Sequence, residues 1–166
     1  TALTDITGKN ITIDNTGAGM AIGAGTTVTG TGGTKGASIG TGTGYAQGLG
    51  GVVIADGRKL TASQNISITG ATKDVNVNSE PTVKPGLYSA IYNTGTIEAT
   101  SGTATLTAKA EGATQSGTAI YNAATGIIKG GSVVLDGIST LRHGVSSFGA
   151  ITSTIADVNI KGSTSA

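Results

Sequence analysis

The chain has 166 residues, 29 of them Gly, with only 11% charged and 3% aromatic side chains, so its charge lies far below the roughly 25% of ordinary soluble domains. Lys and Arg (10) nearly balance Asp and Glu (9) and are scattered along the chain, which excludes the basic footprint of a nucleic-acid binder. The absence of Cys rules out disulfides, thiolate metal sites and cysteine catalysis, while 37% hydrophobic residues, two Pro and a mean hydropathy of +0.14 argue for order over disorder.

In chain order, apolar residues come in short bursts of period two. Ile11-Thr12-Ile13 is the first, and Met20-Ala21-Ile22 follows, with Val28 six residues after Ile22. Residues 30–51 are dense in Gly and Thr and poor in core residues, and they read as a protruding loop. Asp56-Gly57 marks a turn with left-handed geometry. Ile66-Ser67-Ile68, Val75-Asn76-Val77, Thr105-Leu106-Thr107 and Val158-Asn159-Ile160 continue the alternation. Such bursts of β-branched residues between Gly, Asn, Asp and Ser clusters predict short strands and turns, and no stretch carries helical periodicity.

Internal repetition separates a stack of strands from a sandwich or barrel. Ala90-Ile91-Tyr92-Asn93 recurs 29 residues later as Ala119-Ile120-Tyr121-Asn122, and a looser copy begins at Gly144-Val145, 25 residues further on. Each copy has an isoleucine six or seven positions after its first aliphatic: Ile97, Ile127 and Ile151. These features predict an all-β fold, a right-handed parallel β-helix (solenoid) in one segment over residues 1–166. At the usual 20 to 30 residues per coil it would hold roughly six or seven coils, a rod on the order of 30 Å long. Alternation points Ile91 and Ile120 inward, Tyr92 and Tyr121 outward, and Asn93 and Asn122 inward at a corner, where stacked amides form a ladder and stacked rings a column. Neither end shows a capping helix or a charged strand, so the chain reads as a section of a longer rod or as a protomer that stacks end to end on copies of itself.

Segments Ser89–Ala99 (SAIYNTGTIEA) and Gly117–Asn122 (GTAIYN) resemble the passenger repeats of Gram-negative type V secreted proteins, the autotransporters and the two-partner-secretion haemagglutinin-like exoproteins. Gly8–Asp14 (GKNITID) and Gln64–Gly70 (QNISITG) are similar in style to the haemagglutinin repeats. The resemblance implies a right-handed parallel β-helix outside the cell, on or shed from the outer membrane. It also implies adhesion, cell–cell aggregation or self-assembly, with a host or bacterial surface protein or glycan, or further copies of the chain, as partner. Membrane insertion by this segment is not expected, since no run approaches the roughly 18 apolar residues of a spanning helix.

Chemistry is sparse. A β-helix can also carry a polysaccharide hydrolase or lyase, and Asp136, His143 and Asp157, with Arg142, are the concentration that adjacent coils would have to bring together on one face. His143 is the sole histidine, which removes multi-histidine metal sites, and neither an EF-hand loop nor the Gly-Gly-x-Gly-x-Asp repeat is present. The Gly-rich runs complete no phosphate-binding motif and precede no helix. No cofactor, metal or catalytic set is therefore expected. An ice-binding face would need Thr-x-Thr pairs at one position in coil after coil, whereas Thr27, Thr29 and Thr31, Thr41 and Thr43, Thr94 and Thr96, Thr103, Thr105 and Thr107, and Thr152 and Thr154 are irregularly spaced. Asn10-Ile11-Thr12 and Asn65-Ile66-Ser67 fit the glycosylation sequon, as chance provides in a chain this rich in Asn and Thr.

Overall fold

A computed structural model describes residues 5–15, 20–22, 51–73, 89–112 and 117–165. Val28, the loop expected at 30–51 apart from Gly51, the burst Val75-Asn76-Val77 and the threonines at 27, 29, 31, 41 and 43 lie outside the described residues.

The described residues are all β and the strands pair in parallel. They are β1 (Ile6–Gly8), β2 (Ile11–Asn15), β3 (Met20–Ile22), β4 (Val52–Ile54), β5 (Lys59–Ala62), β6 (Ile66–Lys73), β7 (Ile91–Asn93) and β8 (Thr96–Glu111), followed by β9 (Ile120–Asn122), β10 (Ile127–Ser139), β11 (Val145–Ser147), β12 (Ala150–Ser153) and β13 (Val158–Thr164). A five-stranded sheet runs β11-β9-β7-β4-β3. An eight-stranded sheet has two facets, one running β1-β5-β8-β10-β12 and the other joining β2, β6, β8, β10 and β13. Sequence neighbours such as β7 and β8 therefore lie in different sheets, and each strand pairs with its counterpart one pass of the chain later. Parallel pairing requires this, because the chain must return to its starting edge before it can run in the same direction again. Each facet is five strands deep among the described residues. The passes are uneven, with an offset of 39 residues from Val52 to Ile91, 29 from Ile91 to Ile120 and 25 from Ile120 to Val145.

The long strands bend between the two facets. Thr96–Ala99 pairs with Ile127–Gly130, then the register shifts so that Thr103 meets Ser132, and Thr100-Ser101-Gly102 stands opposite Gly131 alone. Beyond the bend β10 alternates buried and half-buried residues to its end, the period-two pattern of a strand with one face on a core.

The core is a set of apolar columns. Val52, Ile91 and Ile120 stack in one, Leu60, Ile97 and Ile128 in a second, and Ile68, Leu106 and Leu135 in a third, each residue fully buried. A fourth column, Ile66, Ala104 and Val133, alternates size and is buried equally well. Each large side chain so buried contributes about 1.5–3 kcal/mol.

One residue of the expected repeat is displaced. Ile127 pairs with Thr96 and is 41% exposed, and the residue in register with Ile97 is Ile128, with no exposure. The corner after Asn122 holds Ala123-Ala124-Thr125-Gly126, two residues more than the Thr94-Gly95 corner after Asn93, which moves the inward position beyond a six- or seven-residue count. Tyr92 also departs from expectation. It sits between inward Ile91 and Asn93, yet it is only 4% exposed, and Val53 beside it only 1%, so this part of the sheet is covered on both faces.

Candidate functional site

Three features stand out above the plain stack: polar ladders at the corners, an outer face of cross-strand charge pairs, and an apolar end left uncovered.

The repeated Asn forms the first ladder. Asn93 and Asn122 are in register and fully buried, and Asn93 Nδ2 donates to Asn122 Oδ1 at 2.9 Å. Asn93 Oδ1 accepts from the Gly95 N–H at 3.2 Å, while Asn122 Nδ2 donates to the Gly126 carbonyl at 3.3 Å and to Ser147 Oγ, its register partner, at 3.1 Å. The amide is suited to this place because it carries both donors and acceptors, so one residue serves its own corner and the next pass together. Buried polar groups must be paired in this way to avoid a desolvation penalty.

Beside the ladder runs a column of glycines, Gly95, Gly126 and Gly149, each two residues before an inward isoleucine (Ile97, Ile128, Ile151). A Cβ on Gly95 would collide with the carbonyl oxygens of Ala55 and Arg58, so the close approach of successive passes requires glycine. The rings make a further column: Tyr92 and Tyr121 lie 5.6 Å apart, centroid to centroid, and tilted by 45°, and Tyr121 and Phe148 repeat this at 5.6 Å and 43°. Offset or tilted rings at this distance attract one another.

A second ladder follows the bend. Asn10 Oδ1 accepts from the Asn65 N–H at 3.1 Å, and Asn65 Oδ1 accepts from the Thr103 N–H at 2.9 Å. Thr103 Oγ1 then meets Ser132 Oγ at 2.8 Å. Asp5 acts likewise, its Oδ1 accepting from the Lys59 N–H at 3.0 Å. The oxygens of Asp5, Asn10 and Asn65 each satisfy a backbone donor of the following pass, and both sequon asparagines are engaged in this role.

On the outer face, Lys129 Nζ meets Glu98 Oε1 at 3.1 Å and Lys161 Nζ meets Asp136 Oδ2 at 3.9 Å, both between register partners. Lys109 and Glu111 pair along one strand. Thr105 and Thr107 stand beside Ser67 and Thr69 on one side but beside Val134 and Asp136 on the other, so that Thr-x-Thr pair does not continue from pass to pass.

Asp136, His143 and Asp157 are not assembled into a groove. Asp136 is mid-strand in β10 with Lys161 as its ion partner. Asp157 lies before β13, where its carbonyl accepts from the Val133 N–H at 3.1 Å. His143 lies past the other end of this facet, its carbonyl accepting from the Ala119 N–H at 3.0 Å. From the level of Ser132 to His143 is eleven residues along β10 and the corner after it, on the order of 20 Å or more at strand spacing. The two carboxylates and the imidazole required by the hydrolase or lyase alternative therefore do not converge. Among the described residues no group of three His, Cys, Asp or Glu is placed to hold a metal ion, and no helix is long and apolar enough to cross a membrane.

The two ends of the stack differ. At the end formed by β1 and β2, Ile11 and Ile13 are 7% and 5% exposed. At the other, Val158 and Ile160 continue the columns of Val133 and Leu135 but are 41% and 50% exposed, and Ile151 and Val145 are half-buried where Ile128 and Ile120 are fully buried. Leu141, Phe148 and Ile155 add exposures of 51%, 68% and 73%. Exposed large hydrophobics thus gather on the last pass. Sequence reasoning took the two ends as alike; burial distinguishes them.

No family model, curated protein or solved structure matches the chain.

Proposed function

We propose that the stacked passes wind as a right-handed parallel β-helix and that this rod works outside the cell, on the surface of a Gram-negative bacterium, in adhesion, cell–cell aggregation or self-assembly. The observation that carries the reading is the in-register stack of Ile91-Tyr92-Asn93 on Ile120-Tyr121-Asn122. Recurring corner ladders give an extended body whose outer residues repeat every pass, about 4.8 Å apart. A surface of this kind suits many weak, equivalent contacts with a surface protein or glycan, where avidity replaces a single deep pocket. The scattering of Asp136, His143 and Asp157 gives the enzymatic alternative no comparable support.

Beads coated with the chain test this reading. Retention on cells, matrix protein or immobilised glycan that rises steeply with coating density is expected. A chain that is folded, binds none of these surfaces at any density and does not associate with itself would exclude the adhesive role and the self-assembling one together.

A further inference from the structure

We propose that Asn65 and Asn10 are N-glycosylation sites, each bearing a sugar on Nδ2, at a corner of the stack where the fold depends on the amide oxygen.

Chance accounts for two Asn-x-Ser/Thr sequons among eight asparagines, but not for where the fold puts them. Asn10-Ile11-Thr12 leads into β2 and Asn65-Ile66-Ser67 into β6, with Ile11 in register with Ile66. Side chains alternate along a strand, so Ile11 and Ile66 point into the core, at 7% and 1% exposure, and each asparagine shares the outer face with the hydroxyl two residues on. An extended sequon thereby offers its amide and its hydroxyl to a transferase from one side. Asn10, Thr12 and Asn65 are exposed and Ser67 is half-buried. Asn65 lies between the passes that hold Asn10 and Thr103, so it opens to solvent sideways, whatever lies beyond either end of the stack.

The two halves of each amide have different employment. Asn10 Oδ1 accepts from the Asn65 N–H at 3.1 Å and Asn65 Oδ1 from the Thr103 N–H at 2.9 Å. Each Nδ2 makes one long contact of 3.4 Å with an exposed side chain, that of Asn10 with Gln64 Oε1 and that of Asn65 with Asn10 Oδ1. Gly102 leaves the room that the Asn65 oxygen occupies, since a Cβ there would collide with Asn65 Oδ1. An amide nitrogen has two hydrogens, so a sugar that replaces one leaves the oxygen and the other hydrogen to the fold. Asn93 and Asn122 are the opposite case. They are fully buried, their Nδ2 groups are spent inside the ladder, and neither has Ser or Thr two residues on.

The donor is a sugar joined through C1 to a diphosphate, carried on a nucleotide or a polyprenol. Asn65 Nδ2 forms a bond to C1, the bond from C1 to the diphosphate oxygen breaks, and its electron pair leaves with the diphosphate. The amide proton passes to a base of the transferase. The site rests on the stacked fold and not on the adhesive role.

Peptide mapping of the chain isolated from the cells that naturally produce it reads the outcome. Trypsin releases residues 10–35 and 60–73, which hold the two sequons separately, and electron-transfer fragmentation leaves a sugar on the side chain that bears it. Both peptides are expected to gain sugar mass, on Asn10 and Asn65, while those holding Asn93, Asn122 and Asn159 do not. A single added sugar marks the nucleotide-bound donor, and an oligosaccharide transferred whole marks the polyprenol-bound one. Ser67→Ala removes the sugar from 60–73 and leaves that on 10–35, Thr12→Ala does the reverse, and Ser67→Thr keeps both, with circular dichroism confirming the β fold in every sample. Unmodified peptides, a sugar on Ser or Thr, or a sugar on Asn65 that persists in Ser67→Ala would each overturn the assignment. Loss of the β signal in the unsubstituted chain would instead count against the stacked fold that gives the site its geometry.

Discussion

The buried amide ladder makes a quantitative demand on stability. Asn122→Ala removes the acceptor of Asn93 Nδ2 and the donor to the Gly126 carbonyl, both inside the structure, and a third bond to Ser147 nearer the surface. Ser147 is exposed and can turn to water, so its loss counts for little. Asn93 Nδ2 keeps only its 3.3 Å contact with the Ile127 carbonyl, and the Gly126 carbonyl loses its side-chain donor. Leaving a buried polar group short of a partner costs about 1–3 kcal/mol, so the substitution should cost about 2–4 kcal/mol. With a urea slope of about 2 kcal/mol per molar for a chain of this size, the unfolding midpoint falls by about 1–2 M at unchanged slope. Asn93→Ala should act similarly, and the double substitution should cost less than the two together, because they share one bond. Equilibrium unfolding followed by circular dichroism measures all three. A midpoint within about 0.25 M of the parent for Asn122→Ala, or strict additivity in the double variant, would refute the ladder as a stabilising device.

Other substitutions test the remaining parts of the stack. Leu106→Ala, between Ile68 and Leu135, should cost about 2–5 kcal/mol, the range for emptying a buried leucine site, whereas Ile127→Ala should cost about 1 kcal/mol or less because 41% of its surface already meets water; urea unfolding compares them. Gly95→Ala pushes a methyl onto the carbonyls of Ala55 and Arg58 and should cost about 1–3 kcal/mol from overpacking. Gly57→Ala, with open space but a φ of 71°, should cost about 1–2 kcal/mol from left-handed backbone strain alone, and a loss under about 0.5 kcal/mol at 95 would refute the close approach there. Lys129→Ala should change stability by no more than about 1 kcal/mol, since the pair with Glu98 is partly solvated, and the change should vanish at high salt.

The all-β class and the parallel pairing were open to a reader of the sequence because they rest on local chemistry. Period-two bursts of Ile, Val and Thr specify strands whatever they pack against, and the 29-residue recurrence of Ala-Ile-Tyr-Asn aligns two strands that the structure pairs residue for residue. The Asn at the end of that motif could be assigned inward by parity alone. The glycine column had a signal too, a Gly two residues before each inward isoleucine, but it emerges only once Ile128 replaces Ile127. Two adjacent isoleucines satisfy a period of two equally well in either phase, and the lengthened corner after Asn122 chooses between them. That choice depends on how much chain the turn absorbs, a property of the packed corner.

Residues far apart in sequence come together only through the number of residues each pass consumes, and that number varies from 55 to 25 here. The sequence could therefore bring Asp136, His143 and Asp157 near one another on paper, while the register sent them to separate points and gave Asp136 to Lys161. The same uncertainty hid the stacking of Asn10 on Asn65, which lie 55 residues apart. The unlike ends of the stack were decided by tertiary structure entirely. Ile11, Ile13, Val158 and Ile160 belong to equivalent bursts of Ile-Thr-Ile and Val-Asn-Ile, and composition assigns them all to a core. Burial is a relation between a residue and whatever lies over it, so only the folded chain separates the covered pair from the exposed one.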